Sequence, residues 1–109
     1  MTSEGFRRIA LSLPETAEGE HLEHPDFRVC GKIFATLMPE DVWGVLMLSP
    51  EQQLEWLHSD PKAFVPAKGA WGRRGCTQVR LQSVKASTLQ KALTAAWRHK
   101  APDDLVAGL

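Results

Sequence analysis

The sequence predicts an α+β domain: a two-layer sandwich in which an antiparallel sheet is covered on one face by helices. Three observations predict it. Strand-like runs follow one another over residues 27–48 with only short breaks between them, as hairpin-connected strands do. Helix-like segments with start and stop signals lie before and after that block. Helices and strands do not alternate strictly, which argues against a parallel sheet of βαβ units. The predicted order is α-β-β-β-β-α-β-β-α. A chain of 109 residues, 43% hydrophobic and 24% charged, suits one domain with its own core, without disulfide or metal. The domain is placed at 1–109, with a core at about 3–101 and a short tail at 103–109.

The first helix is expected over Thr2–Leu13, with Ser3 as N-cap and Phe6, Ile9, Ala10 and Leu13 on its inner stripe. Pro14 stops it. Thr16–Glu23 is acidic, alternates weakly and reads as an edge strand, and His24-Pro25-Asp26 reads as a turn. Phe27–Cys30 is a short strand ending at Gly31. Lys32–Met38 follows, with Ile33, Ala35 and Leu37 on one face and Lys32, Phe34 and Thr36 on the other. Pro39-Glu40-Asp41 breaks the pattern before Val42–Leu48, the most apolar run and the expected central strand.

Ser49-Pro50-Glu51-Gln52 combines a Ser N-cap, Pro at the first helical position and Gln at the third, close to a capping box. The helix is expected to reach about His58 with Leu54 and Leu57 inward, and to end at Asp60-Pro61. Ala63–Ala67 reads as a short strand and Lys68–Gly75 as a loop with three glycines and three bases. Cys76–Leu81 alternates Cys76, Gln78 and Arg80 against Thr77, Val79 and Leu81, giving one polar face. A last helix starts between Ser83 and Ser87 and runs to Lys100, with Leu89, Leu93, Ala96 and Trp97 on one stripe. Trp43 and Trp97 read as core residues.

Net charge is zero, yet residues 1–60 carry eleven acids against four bases, while residues 61–102 carry nine bases and no acid. Such asymmetry suggests a basic surface for an anionic partner, unless the two halves pair with each other in the fold. The first residues lack the apolar stretch of a signal peptide, and no run approaches the roughly 18 apolar residues needed to span a bilayer. A cytoplasmic protein without membrane contact is expected. Cys30 and Cys76 lie far apart and form no C-x-x-C, so two reduced, mostly buried thiols are expected. His21 and His24 beside Glu20 and Glu23 resemble a metal site superficially. However, His24 precedes Pro25 in the expected turn, and His58 and His99 lie on separate helices, so neither metal nor cofactor is expected.

The run His24-Pro25-Asp26-Phe27-Arg28-Val29-Cys30-Gly31-Lys32-Ile33-Phe34-Ala35 resembles the signature of the MmcQ/YjbR family. Leu13-Pro14, the acidic segment after it, and Trp71-Gly72 through Leu81 before a final helix extend the resemblance over about Phe6–Pro102. Cys76 departs from it, standing where a tryptophan is expected in many relatives. The resemblance implies a two-layer α+β fold like that of secretion chaperones and DNA binding through a double wing of hairpins. It carries over no catalytic residue.

Lys68–Arg80 is the leading candidate segment. Its glycines let backbone approach a ligand, Lys68, Arg73, Arg74 and Arg80 suit phosphate oxygens, and Trp71 suits stacking on a base or a guanidinium. The alternative is a hairpin wing with solvated charges and a Trp71 that caps the core. Arg28 and Lys32 flank Gly31 and are expected to point from one tight turn toward the same ligand, or else to sit at a plain exposed tip. No P-loop pattern is present. The reading is a non-enzymatic, monomeric DNA-binding protein using Arg28, Lys32, Lys68, Trp71, Arg73, Arg74 and Arg80. The alternatives are a protein-interaction module resembling a small chaperone and a domain that binds a small anion or nucleotide.

Overall fold

The computed structural model describes residues 1–108; Leu109, the end of the expected tail, lies outside the described residues. Helix α1 spans Ser3–Leu11. Strands β1 (Thr16–His21), β2 (His24–Val29) and β3 (Lys32–Leu37) follow, then a 3-10 turn at Pro39–Asp41 and strand β4 (Trp43–Met47). Helix α2 (Pro50–Ser59), strand β5 (Phe64–Pro66), helix α3 (Gly69–Arg73), strand β6 (Cys76–Arg80), helix α4 (Ala86–Lys100) and helix α5 (Asp103–Ala107) complete the chain. The sheet order is β1-β2-β3-β4-β6-β5, every neighbouring pair is antiparallel, and β1 and β5 are the edges. The expected α+β class is therefore what the chain adopts, with two short helices added to the expected order.

Helices α1, α2 and α4 cover one face of the sheet. The core between the layers holds Phe6 and Ala10 of α1, Phe27 and Val29 of β2, Ala35 and Leu37 of β3, Leu46 of β4, Val79 of β6, and Leu89, Leu93, Ala96 and Trp97 of α4. Phe6 and Phe27 pack with ring centroids 5.9 Å apart. Trp97 is fully buried and donates its indole N–H to the Pro14 carbonyl at 2.9 Å, tying α4 to the end of α1. Helix α2 begins with the expected capping box: Ser49 Oγ accepts from the Gln52 N–H at 3.1 Å, and Gln52 Oε1 accepts from the Ser49 N–H at 2.9 Å.

Several local expectations are corrected. The cap of α1 is Thr2, whose hydroxyl accepts from the Gly5 N–H at 3.0 Å, and not Ser3. The turn after β1 is Leu22-Glu23, with φ of 49° and 66°, so His24-Pro25-Asp26 opens β2 instead of turning. Pro25 is tolerated there because it lies beyond the first β2–β3 rung, Asp26–Thr36, and its missing N–H removes no bond on that side. The ladder steps from Phe27–Ala35 directly to Arg28–Ile33, leaving Phe34 as the extra residue of a bulge. The bulge carries Phe34 into the core, fully buried, and leaves Ile33 half-buried beside Arg28, the reverse of the simple alternation.

Leu54 is 66% exposed, because α2 packs through Gln53, Trp56 and Leu57, one helical stripe away. Gln53 is buried and donates to the Gly72 and Cys76 carbonyls at 3.0 and 3.1 Å. Trp43 is half-buried on the face away from the helices, not in the core. Cys30 is exposed in the β2–β3 turn and Cys76 is half-buried. Residues 103–107 form α5, and Leu105 and Val106 pack against the core, so this tail is docked.

Candidate nucleic-acid interface on the open face of the sheet

The face of the sheet turned away from α1, α2 and α4 carries the alternate residues of each strand. Register places Asp26, Thr36, Val45, Gln78 and Val65 in one row across β2, β3, β4, β6 and β5. Trp43 and Arg80 sit side by side at one end, Met47 and Cys76 at the other. Helix α3 adds Trp71, 64% exposed, next to the Cys76 end. The segment expected as a loop is this helix. Gly72 makes it possible: a Cβ there would overlap the Ala67 carbonyl oxygen, so only glycine lets α3 close against the end of β5.

Two arginines lie over the tryptophans of this face. The Arg80 guanidinium carbon is 4.4 Å from the Trp43 ring centroid, and that of Arg74 is 5.9 Å from Trp71. Lys68 caps the start of α3 and Arg73 is exposed at its end. Structure thus brings Lys68, Trp71, Arg73 and Arg74 together on or beside α3, with Arg80 further along β6. Among the described residues no salt bridge joins any base of residues 61–102 to a carboxylate. The acidic and basic halves therefore do not neutralise each other through ion pairs. The nine bases do not share one face, however. Lys91 and Arg98 line the outer groove between α2 and α4, and Lys85 lies near Asp60.

Arg28 and Lys32 do not converge. Arg28 lies on the open face, where its Nε donates to Asp26 Oδ1 at 2.8 Å and its Nη2 to Oδ2 at 3.0 Å. Lys32 is opposite Val29, whose side chain enters the core, and is exposed at the hairpin end. The Arg28–Ile33 and Val29–Lys32 rungs are adjacent, so the alternation of side chains across the sheet puts the two bases on opposite faces.

Sequence reasoning missed the group around Asp26. This carboxylate is fully buried, and His21 Nδ1 lies 2.7 Å from its Oδ2. An ionised carboxylate only accepts, so the bond requires the proton on Nδ1 and leaves Nε2 free. Gly19 opens the space: a Cβ there would stand 2.8 Å from Asp26 Oδ1. The Arg28 bonds pull the Asp26 carboxyl below its ordinary value of 3.8, burial opposes this, and the His21 bond adds to the lowering. A depressed carboxyl contributes stability that is complete above the unfolded pKa and is lost as pH falls through the folded one. Asp26→Asn is accordingly expected to lower stability by about 1–3 kcal/mol near pH 7. Its deficit relative to the parent should shrink below about pH 4. Urea unfolding followed from pH 7 to pH 3 measures both.

Between the Asp26 group and α3 lies a pocket of about 370 Å³, bounded by His21, Val45, Met47, Lys68, Trp71 and Gln78, with the Cys76 thiol beside them. Burial pushes that thiol's pKa up, so it lines the pocket as a neutral group. Among the described residues no three His, Cys, Asp or Glu side chains gather to hold a metal ion. Among the described residues no helix is long and apolar enough to cross a membrane.

A family model described as YjbR matches residues 11–99. Solved structures share the fold. A crystal structure of Deinococcus radiodurans protein DR2400, a DUF419 domain, is 20% identical with a TM-score of 0.72, covering 88% of this chain and 75% of that one. A Pseudomonas syringae protein solved by structural genomics is 19% identical with a TM-score of 0.71, covering 92% of this chain and 99% of that one. No curated protein matches the chain.

Proposed function

The chain belongs to the YjbR family, and from that premise we propose that it is a non-enzymatic, monomeric protein that binds nucleic acid on the open face of its sheet. One observation carries the reading. Lys68, Arg73, Arg74 and Arg80 have no carboxylate partner among the described residues; the first three lie on or beside α3 with Trp71, which is 64% exposed, and Arg80 lies further along the same face over Trp43. Unpaired cations beside an exposed aromatic on a sheet face suit phosphates and unstacked bases together. DNA is the form the family resemblance implies, and an unpaired strand fits this surface better than a duplex. The β1–β2 hairpin carries exposed Glu20 and Glu23, which repel phosphate, whereas Glu18 is paired with Arg7 at 2.8 Å. Phosphate contacts therefore come from the α3–β6 side and not from the acidic side chains of that wing.

A second reading has its own observation. Strand β1 is a sheet edge, and Leu22 at its hairpin tip is 84% exposed, which suits strand addition by a protein partner. Salt separates the two. Fluorescence anisotropy of a labelled 20-base strand and of the matching duplex is expected to give dissociation constants on the order of 10⁻⁶–10⁻⁴ M at physiological salt. Affinity should fall steeply as salt rises, with the strand bound more tightly. Absence of binding to either at low salt contradicts the reading.

A further inference from the structure

The open-face pocket differs in kind from the basic rim beside it. A wider hollow of about 690 Å³ is bounded by α2 residues alone and offers a single helix face. The open-face pocket is built from β1, β4, β6 and α3 together, and its 370 Å³ lies near the lower end for small-ligand sites. Its floor, Val45 and Met47, is apolar. Trp71, 64% exposed, forms a wall whose aromatic surface is open to a stacking partner beside the Arg74 guanidinium, 5.9 Å from the ring centroid. At the far side His21 is oriented by the buried Asp26 and has Nε2 free. The Gln78 amide supplies both a donor and an acceptor, and Lys68 supplies a cation at the mouth.

Thr36 lies under the same face, between Asp26 and Val45, and its buried hydroxyl has no hydrogen-bond partner among the described residues, but it does not line the pocket.

We propose that this pocket holds one unpaired nucleobase, its ring against Trp71 and Met47, its hydrogen-bonding edge toward His21 and Gln78, and its phosphate at Lys68. The apolar floor, the mixed donor–acceptor edge and the cation at the mouth match the three parts of a nucleotide. The inference rests on the open face being the nucleic-acid face. The same chemistry has two sources, a base in a strand or a free mononucleotide, and the test separates them.

The probes are a labelled 12-base DNA strand, an abasic strand of equal length and charge, and the four deoxynucleoside 5′-monophosphates, followed by anisotropy and by tryptophan fluorescence. The base-bearing strand should bind about tenfold tighter than the abasic one. That preference should vanish in Trp71→Ala and shrink in Gln78→Leu, while abasic binding survives in Gln78→Leu. Equal, salt-sensitive binding of both strands overturns the base pocket and leaves the nucleic-acid reading standing. Saturable binding of a monophosphate without binding of either strand supports the pocket, identifies the free nucleotide as its ligand, and overturns the nucleic-acid reading. Absence of binding by every probe overturns both.

Discussion

Replacing Trp97 by alanine is expected to remove about 3–5 kcal/mol of folding stability, the range for truncating a large aromatic in a packed core. The side chain is fully buried at the centre of the core. Helix α4, which carries it, packs on β3, β4 and α1, so the cavity opens at the junction of both layers. The indole N–H also leaves the Pro14 carbonyl without its donor. Domains of this size are stable by about 5–15 kcal/mol, so the variant should unfold at much lower urea and approach marginal stability. Trp97→Phe separates the two contributions. It retains most of the bulk, loses the hydrogen bond, and should cost appreciably less than the alanine variant.

The double substitution Arg73→Ala/Arg74→Ala is the largest expected effect on binding. Both side chains are exposed, so stability should change by less than about 0.5 kcal/mol per site. Each cation that neutralises a phosphate of a single strand contributes about 0.7 to the slope of log K against log salt. Losing two should therefore reduce the slope by about 1.4 and weaken binding at low salt roughly tenfold or more. Lys91→Ala/Arg98→Ala is the matching control on the helix layer, where the same charge is removed from the opposite side of the molecule. It should leave the slope nearly unchanged. Equal effects from the two pairs would mean that net charge, not the open face, governs binding.

Much of the fold could be read from local pattern. The capping box at Ser49 and Gln52, the apolar stripe of α4 and the polar–apolar alternation of β6 are short-range signals, and each element forms where its signal lies. The errors fall where long-range contacts override such signals. Alternation along β3 puts Phe34 on the open face, but a bulge against β2 moves it into the core, and nothing in residues 32–38 announces a bulge. Gln53 is buried in place of Leu54 because the carbonyls of Gly72 and Cys76 need a donor, a demand made by a segment about twenty residues away. Helix α3 was hidden by its three flanking and internal glycines, which read as loop. In the fold they permit close approach, as at Gly72.

The candidate site was legible in part. Lys68, Trp71, Arg73 and Arg74 are near one another in sequence and stay near in space. Arg28 and Lys32 also begin close, but strand geometry sends them apart. The Asp26 group could have been found in half: residues 24, 26 and 28 of a strand share a face, so Asp26 and Arg28 were set to pair once the run was taken as a strand. Reading His24-Pro25-Asp26 as a turn concealed it. His21 joins only because the chain reverses at Leu22-Glu23 through two non-glycine residues with positive φ, a turn without a sequence signal.

The central claim is that the open sheet face is the ligand face. Amide chemical-shift mapping of ¹⁵N-labelled protein, titrated with the 12-base strand at low salt, tests it most directly. The account predicts shifts concentrated at His21, Val45, Met47, Lys68–Gln78 and Arg80, with the outer residues of α2 and α4 unmoved. Shifts concentrated instead at Gln52, Glu55, Lys91 and Arg98 would place the ligand on the helix layer and contradict the account.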